Sequence, residues 1–330
     1  MLMWRRALIA GIVGAAAWTA AAGTEQPVLP VVAFVANRSA AASGDAVVAF
    51  RKGLSETGRA EGRNVTIEYH WLEGQFDRLP ALMADLVGRR VAVIVTPNNT
   101  LVTTKAKTAT ATIPIVFSVG TDPVKTGLVA SFARPGGNAT GIYYFALDVL
   151  AKRLSLLHAL VPKATRVAIL VNPADGPSAD LTLRTVPDAA RSAGLQTKIL
   201  KASTSPEIDA AFANLARERG DDVLFVAPDG FFQSRSAQLV ALSARDLIPA
   251  AYPDRAAVEV GGLVSYGADL SDTYRQTGVY TGNILNGAKP ADLPVQQATK
   301  FEFAINRTTA KALGLEIPLT LIVSATELVD

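Results

Sequence analysis

Short, almost continuously apolar segments alternate along the chain with longer segments whose apolar residues recur every three or four positions. Apolar runs of this kind predict strands buried on both faces of a parallel sheet, and the periodic segments predict amphipathic helices. In the first half the pattern predicts strands at 30–37, 64–71, 91–97 and 113–119, and helices at 44–58, 77–90 and 100–110. This alternation predicts an α/β fold in which helices cover both faces of a doubly wound parallel sheet.

The stretch 113–129 (IPIVFSVGTDPVKTGLV) shows how one such strand ends. Its apolar run stops at the segment Gly120–Pro123, and the following residues predict a helix from about Val124. Asp122 can cap this helix, with a proline in the first turn. Asp122 can also face a ligand and pair with a cation such as an α-ammonium group. The pattern leaves both roles open.

The second half of the chain repeats the order and spacing of the first. Residues 34–37 (FVAN) correspond to residues 169–172 (ILVN), and Ile113–Pro114 corresponds to Ile248–Pro249, in both cases 135 residues later. In a third match, residues 95–97 (VTP) correspond to residues 226–228 (VAP), 131 residues later. The chain is therefore predicted to contain two copies of one alternating strand–helix domain.

We predict two lobes joined by a hinge. Lobe 1 comprises residues 28–142 with 267–290, and lobe 2 comprises residues 143–266 with 291–330. The predicted helix at 269–287 is long enough to return the chain to lobe 1. Ligands of parallel α/β sheets bind outside the carboxyl ends of the strands. A ligand site between the two lobes is therefore expected.

The N-terminal residues have the layout of a secretory signal peptide. Arg5 and Arg6 precede an apolar run, and small residues lead to a cleavage site after Ala22. An uncleaved membrane anchor is the rival interpretation, although the apolar run is short for a span. Residues 1–22 are thus predicted to direct export, and the mature protein is expected in the periplasm.

Composition and charge narrow the classes of partner. The 330 residues carry a formal charge of +3 and no cysteine, which excludes disulfides and thiolate metal sites. Without the predicted signal peptide, 30 Lys and Arg face 29 Asp and Glu, a net charge of +1. A nearly neutral mature chain gives no indication of nucleic-acid binding.

Polar and aromatic residues gather at the predicted strand ends. Taken singly, each is a common turn, cap or packing residue, but together they occupy one sheet edge. Asp175 and Asp254 also follow strand ends of lobe 2. The residues predicted to bind the ligand are Asn37, Arg38, Ser39, Gly74, Thr96, Pro97, Asn98, Thr121, Asp122, Tyr143, Asn172, Asp229 and Tyr252.

Motifs that carry catalysis are missing from the sequence. The two histidines, His70 and His158, fall on a predicted strand face and a predicted helix, and no HExxH, GxSxG, P-loop or GxGxxG string occurs. His, Asp and Glu do not cluster with metal-ligand spacing. The sequence therefore favours a binding protein that needs no cofactor.

Four long segments resemble the ABC transporter substrate-binding family, in the branch that includes tryptophan- and tyrosine-type binding proteins. These segments are residues 50–95, 113–142, 151–173 and 287–318. The resemblance implies a type I periplasmic-binding fold with two hinged lobes and a small-molecule ligand in the cleft. It also implies that Thr121–Asp122–Pro123 and Thr96–Pro97 match loops that contact aromatic amino acids in relatives.

Three functions follow from this reading. The first is an importer's binding protein, a monomer that delivers an amino acid or similar solute to an ABC permease in the inner membrane. The second is a sensor that docks to a membrane receptor with its ligand bound. The third is an enzyme built on the same scaffold, since a fold does not fix a function.

Overall fold

The computed structural model describes residues 29–218 and 222–330, so the predicted signal peptide lies outside the described residues. Lobe 1 begins with five strands and three helices, of which the first four strands and the three helices follow the order that the sequence pattern predicts. The strands are β1 (Val31–Ala36), β2 (Thr66–Trp71), β3 (Val93–Thr96), β4 (Ile115–Val119) and β5 (Ala139–Tyr143). The helices are α1 (Gly44–Glu56), α2 (Leu79–Gly88) and α3 (Thr100–Ala109).

Lobe 2 repeats this alternation. Its helices are α4 (Leu150–Leu160), α5 (Gly176–Ser192), α6 (Ser205–Arg217), α7 (Gly230–Ser234), α8 (Ser236–Arg245) and α9 (Arg255–Glu259). Its strands are β6 (Arg166–Val171), β7 (Gln196–Lys201), β8 (Asp222–Val226), β9 (Ala250–Tyr252) and β10 (Val264–Ala268). The remaining elements are α10 (Leu270–Leu285), β11 (Gln296–Gln297), β12 (Phe301–Asn306), α11 (Arg307–Ala312), α12 (Leu319–Ser324) and β13 (Glu327–Val329).

The strands form two sheets with matching topology. The first sheet has the order β11-β5-β4-β3-β1-β2, and the second has the order β13-β12-β10-β9-β8-β6-β7. Strands pair in parallel throughout the first sheet, whereas β12 runs antiparallel to β10 in the second. The two-lobed α/β fold predicted from the sequence is confirmed.

Both faces of each sheet are buried, as the apolar strands require. In β1, Val32 and Phe34 pack with Phe50 of α1, while Ala33 and Val35 pack in a separate cluster on the opposite face. Successive residues of a strand point to opposite faces, so a strand covered by helices on both sides must be apolar throughout. Because apolar clusters pack on both faces of the sheet, the polar residues that follow the strands lie at the edge of the sheet.

The chain crosses between the lobes near residues 144–149, near Asp269 and near residues 298–300. The return to the first sheet is longer than the predicted 267–290, because Gln296–Gln297 pairs with β5 as an added strand. Tyr143, placed in lobe 2 by the sequence, closes β5 of the first sheet. The crossings near 144–149 and near Asp269 carry side chains that line the space between the lobes.

Helix α10 is held against α1 by close backbone packing. An ideal Cβ at Gly278 would lie 2.1 Å from the carbonyl oxygen of Phe50, and one at Gly53 would lie 1.8 Å from that of Arg275. Contacts under 3.0 Å leave no room for a side chain, so glycine is required at both positions. This packing makes α10 part of lobe 1, although lobe 2 precedes it in the sequence.

The predicted helix from about Val124 is wrong, since residues 120–131 form turns and bends. The backbone N–H groups of Val124 and Lys125 both donate to Oδ1 of Asp122, which stabilises a single turn. Gly127 then adopts a positive φ of 71°, which ends the turn before a helix can continue. Asp122 therefore caps a turn rather than a helix.

Across residues 29–218 and 222–330, no helix has both the length and the apolar composition needed to cross a membrane.

Candidate ligand-binding cleft

The carboxyl ends of the two sheets face each other, and hydrogen bonds between described residues cross directly from lobe to lobe. The backbone N–H of Ser39 donates to Oγ of Ser234 at 3.0 Å. Nδ2 of Asn98 donates to Oε1 of Gln233 at 2.7 Å, and Nδ2 of Asn99 donates to Oδ2 of Asp175 at 3.4 Å. The lobes are therefore closed against each other in this structure.

A small cavity, here called the inner cavity, lies between the lobes. Its volume is about 20 Å³, far below the roughly 300–1,000 Å³ of small-molecule sites. The lining residues come from both lobes and from the crossing near 144–149. They are Asn98, Asn99, Thr100, Gly120, Tyr144, Ala146, Leu147, Asp175, Ser178, Pro228 and Asp229.

Lobe 1 presents the N-terminus of α3 to the inner cavity. Asn99 is the N-cap, and its Oδ1 accepts the backbone N–H of Val102 at 2.8 Å. Asn98 before it has a positive φ of 57°, a conformation that asparagine tolerates better than most residues. Its side chain accepts a hydrogen bond from the Tyr144 hydroxyl. This wall thus offers amide groups and the N-terminal end of a helix dipole, both suited to an anionic group.

Lobe 2 presents two carboxylates to the same cavity. Asp229 follows β8 as the N-cap of α7, where its Oδ1 accepts the backbone N–H of Phe232 at 3.0 Å. Nδ2 of Asn172 lies 3.3 Å from both carboxylate oxygens of Asp229. Asp175 follows β6 and occupies the N-cap position of α5 without a side-chain capping bond. The carboxylate of Asp175 instead faces the cleft, where its Oδ2 accepts from Asn99 of lobe 1.

Burial shifts both carboxyl groups toward their neutral form. It raises the pKa of Asp175 well above its usual range, and the neighbouring Asp229 carboxylate raises it further. Burial also raises the pKa of Asp229, against an opposing effect of the Phe232 N–H. Two nearby buried carboxylates are costly when both are charged unless a cation neutralises them.

Buried polar atoms without partners border the cleft. Among the described residues these include Nδ2 of Asn37, Nε of Arg38 and Oδ1 of Asp175. A buried polar group without a partner typically costs about 1–3 kcal/mol. Two donors and one acceptor at one interface indicate a ligand that supplies both hydrogen-bond acceptors and donors.

A second and larger cavity, here called the outer cavity, also lies between the lobes. Its volume is about 560 Å³, and Arg38 of lobe 1, Gln233 of lobe 2 and Tyr274 of α10 line it. Asn98 lines the inner cavity and Gln233 the outer one, so their hydrogen bond stands between the two. Separation of the lobes would break this bond.

Six of the thirteen predicted ligand-binding residues lie at the interface between the lobes. Asn37 and Arg38 contact Gly230, Gly74 lies against the Phe231 ring, and Ser39 bonds Ser234. The cleft residues from the predicted set are Asn37, Arg38, Ser39, Gly74, Asn98 and Asp229. Asn172 lies behind them in lobe 2 and bonds the carboxylate of Asp229.

Three other predicted residues support the cleft from beneath. Thr96 bonds Thr103 of α3 at 2.9 Å, and Thr121 bonds Thr100 at 2.6 Å, in each case through the side-chain hydroxyls. Pro97 is buried between β3 and Asn98. These side chains fix the start of α3 and do not line the inner cavity.

The structure does not bring Asp122, Tyr143 or Tyr252 to the cavities between the lobes. Asp122 is partly exposed and lies 3.9 Å from Lys125 in its own turn. Tyr143 packs in the core of lobe 1 and donates its hydroxyl hydrogen to Asp148. Tyr252 is buried in the core of lobe 2, where it bonds Oγ of Ser243 at 3.2 Å.

The inner cavity also includes residues outside the predicted set. Tyr144 lines it although Tyr143 does not, because adjacent residues leaving a strand point to opposite faces. Asp175 lies three residues beyond the predicted Asn172. Both residues stand at predicted strand ends, but the sequence does not show which side chains at those ends point into the cavity.

Groups of three or more His, Cys, Asp or Glu able to hold a metal do not occur among the described residues.

Comparisons with known proteins agree with this architecture. Residues 28–329 match the family described as ABC transporter substrate binding protein. A tyrosine-binding protein of Clostridioides difficile (strain R20291) is 28% identical over 271 residues, covering 81% of this chain and 76% of that protein.

Two solved structures extend the comparison. An ABC domain from Streptococcus pneumoniae in complex with L-Trp has a TM-score of 0.79 at 24% identity, covering 92% of this chain and 100% of that chain. A conserved domain protein from Vibrio cholerae has a TM-score of 0.81 at 26% identity, covering 91% and 100%. These likenesses place the two-lobed fold among solved relatives.

Proposed function

Since the chain belongs to the ABC transporter substrate-binding protein family, we propose that it captures an aromatic L-amino acid between its lobes and delivers it to an ABC permease. The tyrosine-binding relative supports an aromatic amino acid as the ligand class. The polar groups of the inner cavity support the recognition of its ammonium and carboxylate groups.

The carboxylate pair Asp175 and Asp229 carries the proposal. A ligand ammonium between them would neutralise the pair and supply the donor that Oδ1 of Asp175 lacks. The ligand carboxylate would then face the N-terminus of α3 on the opposite wall, where Asn99 and Thr100 lie. A zwitterionic ligand in this position contacts lobe 2 with its ammonium group and lobe 1 with its carboxylate.

Ligand entry requires the lobes to separate. The inner cavity holds about 20 Å³ in the closed state, too little for an amino-acid head group. Opening would break the bonds from Asn98 to Gln233 and from Asn99 to Asp175. The bound ligand would replace part of these direct contacts, so closure around it follows the hinge mechanism of two-domain receptors.

Delivery to a permease, export by the predicted signal peptide and a monomeric state are parts of the same proposal. Family membership supports the delivery and the export, and a non-catalytic role is proposed on the same ground. Uptake of labelled tyrosine by cells with and without this gene tests the delivery. Unchanged uptake, with tight binding by the purified protein, would favour the sensor over the importer.

Calorimetric titration of the mature protein tests the binding site. We expect L-tyrosine to bind, whereas tyramine, which lacks the carboxylate, and 3-(4-hydroxyphenyl)propanoate, which lacks the ammonium, bind much more weakly. In Asp229→Asn the N-cap is kept, since asparagine caps as well as aspartate. Loss of one partner of a buried charge pair typically costs about 2–5 kcal/mol, or roughly 30- to several-thousandfold in Kd.

A matched control removes a carboxylate far from the cleft. Asp188 lies on α5 with 71% of its side chain exposed, so Asp188→Asn should leave the tyrosine affinity unchanged. The propanoate analogue provides the contrary test. If it binds the wild-type protein as tightly as tyrosine does, the carboxylate pair does not recognise an ammonium group and the proposed site is wrong.

A further inference from the structure

The outer cavity has the size of a small-molecule site. Its volume of about 560 Å³ lies within the roughly 300–1,000 Å³ typical of such sites. Small apolar side chains, including Ala42, Ala46, Val260 and Leu270, supply part of its lining. Walls of this kind suit a flat hydrocarbon ring, and the cavity borders the proposed site of the amino-acid head group.

Arg38 brings an unpaired donor to this cavity. Its Cγ lies against Gly230 of lobe 2, at 3.5 Å from the position of an ideal Cβ there. Nη1 is 3.4 Å from the Tyr274 hydroxyl, while Nε is buried and has no hydrogen-bond partner among the described residues. The Nε–H of this guanidinium therefore lacks an acceptor, while Nη1 already has the Tyr274 hydroxyl.

Carboxylates dominate the rest of the polar lining. Asp45, Asp254, Asp269 and Glu302 all line the cavity. The other arginine there, Arg255, is already paired with Glu259 and Glu327. These carboxylates would repel an anionic ligand group. A neutral hydroxyl, in contrast, can accept a hydrogen bond from Arg38 and donate one to a carboxylate.

We propose that the outer cavity holds the side chain of the bound amino acid and that Arg38 there selects a neutral hydroxyl at its far end, as on a phenol. This inference rests on the proposed function, because it requires the amino-acid head group in the inner cavity. It assigns Arg38 to ligand specificity, separately from the carboxylates that hold the ammonium group.

Titration with three amino acids tests the assignment. The probes are L-tyrosine, L-phenylalanine and 4-carboxy-L-phenylalanine, which share a ring and differ at its far end. We expect the wild type to prefer tyrosine over phenylalanine by about 10- to 100-fold, the worth of a hydrogen bond to a charged group. The carboxylate analogue should bind more weakly than tyrosine.

The variant Arg38→Met should bring the tyrosine-to-phenylalanine ratio close to one while phenylalanine still binds, which also shows that the variant is folded. Arg191→Met is the matched control, since it removes an exposed arginine on α5 that lines neither cavity. Its ratio should remain that of the wild type. If Arg38→Met fails to fold, Arg38→Lys should keep a preference between those of the wild type and unity.

The outcomes separate this inference from the proposed function. Equal affinities for tyrosine and phenylalanine in the wild type would overturn the inference and leave the proposed function intact. An equal loss for all three probes in Arg38→Met would also overturn it, because Arg38 would then hold the head group. If no amino acid binds the wild type, the proposed function fails and the inference fails with it.

Discussion

The two lobes have the same scaffold but opposite chemistry at their strand ends. In lobe 1, β3 leads into α3 through the N-cap Asn99, and in lobe 2, β8 leads into α7 through the N-cap Asp229. Both caps accept a backbone N–H from three residues later. The same local geometry thus carries a neutral amide on one wall of the cleft and a carboxylate on the other.

The strands beside them show a matching difference. Asn37 directly follows β1 and Asn172 directly follows β6, and both side chains are buried. Nδ2 of Asn172 donates to Asp229, whereas Nδ2 of Asn37 has no partner among the described residues. Duplication therefore explains the fold, while substitutions at single strand ends explain the charge asymmetry. A ligand with two opposite charges fits this difference better than an anion or a cation alone.

Removing the difference in charge between the two walls of the cleft should have the largest effect on ligand affinity. Asn99→Asp keeps a good N-cap but places a third carboxylate opposite Asp175, whose Oδ2 now accepts from Asn99 at 3.4 Å. Like charges across an interface cost several kcal/mol, so we expect tyrosine affinity to fall by about a thousandfold or more. Titration calorimetry measures this. Asn99→Ser, which caps without a charge, should lose much less, and an equal loss in both variants would contradict the charge argument.

Replacing the Asp175 carboxylate by a neutral amide should weaken ligand binding and stabilise the ligand-free protein. Asp175 makes no capping bond, and burial beside Asp229 disfavours its charged form. Asp175→Asn should therefore lower tyrosine affinity by about 30-fold or more while raising the melting temperature without ligand at pH 8. Thermal melts with and without tyrosine test both halves. A lower melting temperature in the free variant would show that the carboxylate stabilises the fold.

The same pair should make ligand-free stability depend on pH. Burial raises the pKa of both carboxyls above the value of about 3.9 in an unfolded chain. The two carboxyl groups therefore contribute fully to the free energy of unfolding below about pH 4. This contribution is lost as the pH rises through their raised pKa values in the folded protein. Thermal melts from pH 4.5 to 8 should show a smaller loss in the double variant Asp175→Asn/Asp229→Asn. Identical pH profiles would contradict the raised pKa values.

The smallest effect is expected at Asp122, the acid at the end of β4. Its Oδ1 accepts two backbone N–H groups of its own turn, and asparagine can accept them equally well. Asp122→Asn should change unfolding free energy and binding by less than about 0.5 kcal/mol. Chemical denaturation and calorimetry measure the two quantities. A loss of affinity like that of Asp229→Asn would instead place Asp122 in contact with the ligand.

The fold could be predicted because strand burial and helix periodicity are local signals. The 135-residue repeat indicated two lobes, and the long helix Gly176–Ser192 continues through Pro187. The turn after β4 was missed, since a side-chain oxygen and Gly127 ended the helical pattern after one turn. The short strand Gln296–Gln297 was also missed, because its pairing with β5 is a tertiary contact.

The cleft could be predicted as a location but not as a complete set of side chains. Strand ends are readable in a sequence, and Asn37, Asn98 and Asp229 at these ends lie at the interface between the lobes. Their contact with a ligand stays a prediction. Which of two adjacent tyrosines turns inward depends on register at the end of β5. Tyr252 ends a strand but packs into the core through its bond to Ser243. Side-chain direction at these ends is decided by packing across the whole lobe.

The close packing of α10 on α1 has a consequence for the order in which the chain can fold during synthesis. All residues that line the inner cavity lie at or before Asp229, yet lobe 1 still lacks α10 and lobe 2 still lacks β12 and β13 when residue 268 has been made. Contacts between distant segments form late and slow folding. A nascent chain that ends at residue 268 therefore carries the complete inner-cavity lining on two unfinished domains.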